Sequence, residues 1–86
     1  MNKVRISLNT IDKVKSFSGI VAKHEPDMDI VSENCRYIID AKSIMGIFSL
    51  DLSKVLQLNI HSDDEAVVNA VLKDIEAYIV KDTETV

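Results

Sequence analysis

The side chains in this sequence that could take part in chemistry are two histidines, one cysteine and a serine at the head of an apolar run. A histidine can hold a proton, a metal or a phosphate, and each use needs partners. His24 falls at the expected end of a helix, the negative end of its dipole, where a dianionic phosphate is disfavoured. A ring there serves better as a partly exposed C-terminal residue that helps the last carbonyls. His61 precedes Asp63, Asp64 and Glu65, which are metal-ligand types. One imidazole without a second strong donor makes a weak site, and those acids have a simpler use at a helix start. No metal or other cofactor is therefore expected. Cys35 has no second cysteine to bridge to. A lowered thiol pKa needs a helix start or a basic cluster, and only Arg36 is adjacent. No histidine–serine–acid spacing, glycine-rich phosphate loop or paired-cysteine motif occurs. Independent catalysis is not expected.

Ser43 is set apart by the residues after it. It reads as a helix N-cap, whose hydroxyl accepts a bond from a free backbone N–H of the first turn. The short helix it opens carries Ile44, Met45, Ile47, Phe48 and Leu50, apolar on nearly every side. Such a helix cannot bury all of that against one sheet. Ile47 and Leu50 are expected inside, Met45 and Phe48 outside, and an exposed apolar patch on a small domain suggests a docking surface. Ser43 would stand beside that patch at the positive end of the helix, where phosphate is favoured. A cap alone is enough to explain a serine at this position, but it does not require the Ile44-Met45-Gly46 run.

The elements that must position these residues can be read from periodicity. Residues 3–9 alternate, with Val4, Ile6 and Leu8 apolar, which is a strand with one wet face. From Ile11 to His24 the apolar residues Ile11, Val14, Phe17, Ile20 and Val21 recur at helical steps, with Asn9 or Thr10 as cap. Gly19 marks close packing or a kink, and Glu25-Pro26 ends the helix. Met28 and Ile30 begin a second strand, Glu33-Asn34-Cys35 is a tight connection, and Tyr37–Asp40 returns as a third strand. Leu56, Leu58 and Ile60 alternate with Gln57, Asn59 and His61 in a fourth. Ser62-Asp63-Asp64-Glu65 reads as a capping box. The helix it opens has Val67, Val68, Val71, Leu72, Ile75 and Ile79 as its stripe and frays after Val80.

The order strand, helix, strand, strand, short helix, strand, helix implies an α+β open-faced sandwich. A four-stranded, mainly antiparallel sheet carries three helices on one face and leaves the other to water. The 86 residues make one domain over 1–80 and a loose tail over 81–86. Apolar residues are 47% and charged residues 28%, which is globular rather than disordered. The scattered basic residues and net charge of -4 argue against nucleic acid as a direct partner. No window has the length and apolarity of a membrane span, and Met1-Asn2-Lys3-Val4-Arg5 lacks a signal-peptide core, so a cytoplasmic protein is expected.

Lys42-Ser43-Ile44-Met45-Gly46, continued by Phe48-Ser49-Leu50, resembles the regulatory-serine segment of HPr, the phosphocarrier of the bacterial sugar phosphotransferase system. The resemblance implies the same element order and open-faced sheet. It implies that Ser43 is the regulatory phosphorylation site and that Lys42, Ile44, Met45 and Phe48 belong to the surface that partners recognise. In that family the reactive group is a histidine near the start of the first helix, followed by a basic residue and a proline. Counting back from Ser43 places that histidine near Asp12, yet no histidine or proline occurs between Met1 and Lys23. Asp12, Lys13 and Lys15 would be what remains of the phosphocarrier region.

In this the chain resembles the catabolite-repression HPr-like proteins, which also lack the histidine and keep the serine. The partners implied are a serine kinase and a transcription regulator or metabolic enzyme. Two other readings stay open. One is a phosphocarrier with another acceptor, such as Asp12 or His24. The other is an interaction module with neither phosphorylation.

Overall fold

The protein, seen in a computed structural model, is described over residues 2–80. The expected tail, 81–86, lies outside the described residues. Strand β1 (Asn2–Ile6) is followed by α1 (Ile11–Val21), β2 (Asp27–Val31) and β3 (Ile38–Asp40). Then come α2 (Ile44–Phe48), β4 (Leu56–His61), α3 (Glu65–Asp74) and a 3-10 turn at Glu76–Tyr78. All pairings are antiparallel, in the order β1-β4-β2-β3. This is the four-stranded open-faced sandwich that the periodicities imply.

Alternation along the strands decides which face is buried. In β4, Leu56, Leu58 and Ile60 are buried, and they oppose Ile6, Val4 and Asn2 of β1. Met28 and Ile30 of β2 add to the same face, because they sit opposite Ile60 and Leu58. The helices cover it with Val14, Phe17 and Val21 from α1, Ile47 from α2, and Val68 and Val71 from α3. Phe17 also meets Tyr78 edge to face, ring centroids 5.8 Å apart. On the other face Gln57 donates to Asn59 at 2.7 Å, and the His61 ring meets Asp29 at 2.5 Å.

Several local expectations are corrected. The first strand ends at Ile6 rather than continuing to residue 9. Ile11 is 62% exposed, because at the first position of α1 it lies outside the arc of Val14, Phe17 and Val21. Thr10 rather than Asn9 caps that helix, accepting from the Lys13 N–H at 3.1 Å. Ser62 is not the cap of α3. The helix starts two residues later, where Asp64 accepts from the Ala66 and Val67 N–H groups. Aspartate is as good a cap as serine, and Ser62 instead accepts from the Asp64 N–H.

α3 also ends well before Val80, at Asp74. Beyond Ile75 the chain tightens into the 3-10 turn and runs along β1. The Ser7 N–H donates to the Tyr78 carbonyl and the Val80 N–H to the Arg5 carbonyl, both at 2.9 Å. Ile79 bridges Ile6, so this segment occupies groups of the sheet edge that a longer helix would leave unpaired.

Two backbone features make predictions. Gly19 is exposed, and a Cβ built there would meet nothing within 4 Å, so neither close packing nor steric need explains it. Gly19→Ala should stabilise the protein by about 1 kcal/mol, the helix-propensity difference, as measured by urea unfolding. Cys35 has φ 59°, the left-handed region, in the turn closed by the Cys35 N–H to Ser32 carbonyl bond of 2.8 Å. Cys35→Gly should raise stability by about 0.5 kcal/mol, the relief of that conformation outweighing the added unfolded-state entropy.

Candidate functional site

The chain leaves β3 through Asp40 and turns at once into α2. The Asp40 side chain accepts the Lys42 N–H at 2.8 Å, and its carbonyl accepts the Ser43 N–H at 3.0 Å. Ser43 is therefore delivered in an extended conformation, φ -98° and ψ 101°, as an N-cap requires. Its Oγ accepts from the Gly46 N–H at 3.2 Å, and the residue is exposed. A Cβ on Gly46 would stand 3.2 Å from that same oxygen, so the glycine leaves room beside the hydroxyl.

The apolar residues divide as their positions imply. Ile47 is fully buried and Leu50 nearly so, while Met45 is 76% and Phe48 37% exposed. Ile44 is half-buried and packs against the core. A five-residue helix carries little macrodipole. What a charged group at Ser43 would find is chiefly local: the Gly46 N–H, already donating to Oγ, and the other amides of the first turn.

Lys42 has a use that its sequence position does not reveal. Its ammonium donates to the His24 carbonyl at 2.7 Å and approaches the Glu25 carbonyl at 3.5 Å. It thus fastens the start of α2 to the chain leaving α1. His24 in turn pairs through Nε2 with Asp74 at the end of α3, at 2.8 Å. The three helices are joined at one end of the molecule by these two contacts.

Asp12, Lys13 and Lys15 are all exposed in the first turns of α1. Lys13 is held by Asn9 Oδ1 at 3.0 Å. The structure does not bring this group to Ser43, because the Lys42 contact ties α2 to the opposite end of α1. That helix of 11 residues spans about 16 Å.

His61 faces Asp29 across the sheet rather than the acids that come after it in sequence. Among the described residues no three His, Cys, Asp or Glu side chains form a group that could hold a metal. Cys35 is exposed. Asp51, in the loop after α2, has its carboxyl held below the usual carboxylate range, first because the Ser53 hydroxyl donates to it at 2.6 Å. The Ser53 N–H donates to the same oxygen at 3.1 Å. A lowered folded-state pKa stabilises above the ordinary carboxylate value and is lost as pH falls through the folded value. Ser53→Ala should move the Asp51 titration upward in an NMR pH series.

This sheet order, with helices on one face, is the fold of the HPr phosphocarriers. The chain is similar to a solved structure described as the crystal structure of HPr-C-His from Thermoanaerobacter tengcongensis. The two share 27% identity and a TM-score of 0.68, over 90% of this chain and 93% of that one. It is also similar to a phosphocarrier protein HPr from Bacillus anthracis str. Ames, at 23% identity and a TM-score of 0.60, over 85% and 92% of the two chains. The second likeness shows the fold alone. No family model matches the sequence, and no curated protein does. Among the described residues no helix is long and apolar enough to cross a membrane.

The contacts of Lys42 carry a stability prediction. Lys42→Met keeps most of the side-chain length but removes the donor from two carbonyls. It should cost about 1–2 kcal/mol in urea unfolding, the usual loss for a charged hydrogen bond in a partly buried place.

Proposed function

We infer that this chain is a regulatory, HPr-like protein of the phosphotransferase system that does not relay phosphate through histidine. It works through phosphorylation of Ser43 and docking of a partner on the neighbouring apolar patch. The observation that carries this reading is the exposed Ser43 hydroxyl at the start of α2, one turn from the exposed Met45 and Phe48. The HPr-like fold supports a place in that system, with its proteins as partners and no catalysis of its own. The first turn of α1, where the family carries its histidine, offers Thr10, Ile11, Asp12 and Lys13 instead.

Phosphorylation adds about two negative charges at Ser43. They fall beside the N–H groups of the first turn of α2, which favours the phosphate. They also fall beside Met45 and Phe48, which changes the partner that this surface accepts. Lys42 is tied to the carbonyls of His24 and Glu25, so its ammonium contributes to the local field and must be released before it can reach a partner. A phosphocarrier using His24 is the weaker reading, since that ring already engages Asp74 at the carboxyl end of α1.

Incubation with an ATP-dependent HPr serine kinase should add one phosphate to this chain, lost in Ser43→Ala. An ordinary HPr labelled alongside while this chain stays unmodified would remove the mechanism. Phosphoenolpyruvate and enzyme I should leave no acid-labile label. A pure interaction module would instead lose partner binding with Phe48→Ser and keep it unchanged with Ser43→Ala.

A further inference from the structure

The two edges of the sheet are treated differently. Part of the β1 edge is occupied by the Tyr78–Val80 segment. The β3 edge has no strand beside it among the described residues. The bonds from the Ser32 N–H to the Tyr37 carbonyl and from the Ala41 N–H to the Met28 carbonyl set the phase of the β2–β3 ladder. With Ile39 opposite Ile30, the Ile39 N–H and carbonyl turn inward to β2, and those of Ile38 and Asp40 turn outward. The Asp40 carbonyl is taken by Ser43, which leaves the Ile38 N–H and carbonyl and the Asp40 N–H along the rim. Ile38 is 66% and Tyr37 57% exposed at the same place.

The side chains along this rim are complementary to themselves. In extended chain, Arg36, Ile38 and Asp40 lie on one face. Two copies related by a two-fold axis through Ile38 would set Ile38 against Ile38 of the other copy. Arg36 would fall opposite Asp40 on one side and Asp40 opposite Arg36 on the other. Tyr37 would meet the half-buried Ile39 on the core side. We propose that the β3 edge is a self-association surface, on which a second copy of this chain pairs antiparallel about Ile38 to make one continuous eight-stranded sheet. The pairing uses four rim hydrogen bonds, two between the Ile38 residues and two from Asp40 N–H to Arg36 carbonyl. An isologous contact repeats each favourable pair, so the two charge pairs and the apolar centre come from five residues of each chain. So short an edge gives a weak dimer, one that forms between about 10 µM and 1 mM, as interfaces below standard size do.

Sedimentation velocity over that range should show the mass rising from monomer toward dimer. Arg36→Asp places two acids opposite each other and should weaken association about tenfold, and Asp40→Arg should do the same with two bases. An equimolar mixture of the two variants restores opposite charges at both positions, so it should recover association close to that of the unaltered protein. Ile38→Cys in a Cys35→Ser background puts two thiols at directly opposed positions, within disulfide reach, and should cross-link on mild oxidation. This second readout does not depend on Asp40→Arg folding. A chain that stays monomeric throughout overturns the proposal. So does a dimer indifferent to the charge changes, a mixture of folded variants that fails to recover, or thiols that do not join.

Discussion

Strand β4 has no free side. It is the last strand in the chain yet lies between β1 and β2, and it supplies Leu56, Leu58 and Ile60 to the core face. A strand bonded along both edges cannot slip by one residue without exchanging its whole apolar set for Gln57, Asn59 and His61. The helices can cover the sheet only on the face that β4 makes apolar. The wet face, the buried face and the side on which α2 must lie are all set by that one placement.

The position of α2 illustrates the second constraint, which is length. Its five residues, Ile44–Phe48, give the helix one inward residue, Ile47, with Leu50 just beyond its end. Met45 and Phe48 project on the outer arc because a single turn has nowhere else to put them. Hydrogen bonding then holds this small element in place: Asp40 shapes the entry, Ser43 closes the first turn, and Lys42 anchors it to the carbonyls after α1. The exposed hydroxyl and the exposed apolar side chains are neighbours for this reason, whatever partner uses them.

Much of this architecture is legible in the sequence because it depends on local period. Alternation marks β1 and β4, helical spacing marks α1 and α3, and the Ser43 cap with its apolar run marks α2, including which residues face inward. What local pattern cannot carry is which strand lies beside which. The order β1-β4-β2-β3, and with it the meeting of His61 with Asp29, depends on contacts between distant residues. The same limit hides the role of Lys42, whose acceptors are backbone carbonyls that leave no mark in residue type. The shift of the α3 start from Ser62 to Asp64 reflects two good caps within three residues, between which geometry chooses. The early end of α3 is hidden by Ile79, which fits a helical stripe and also suits the β-bridge to Ile6.

That bridge has a consequence for how the molecule comes into being. Ribosomes deliver a chain from its amino end, so β1 emerges well before the residues that lie along its outer side, Tyr78 to Val80. Until they leave the exit tunnel, the Arg5 carbonyl and the Ser7 amide must find water or a transient neighbour instead. The fold closes like a clasp whose two halves are made far apart in time.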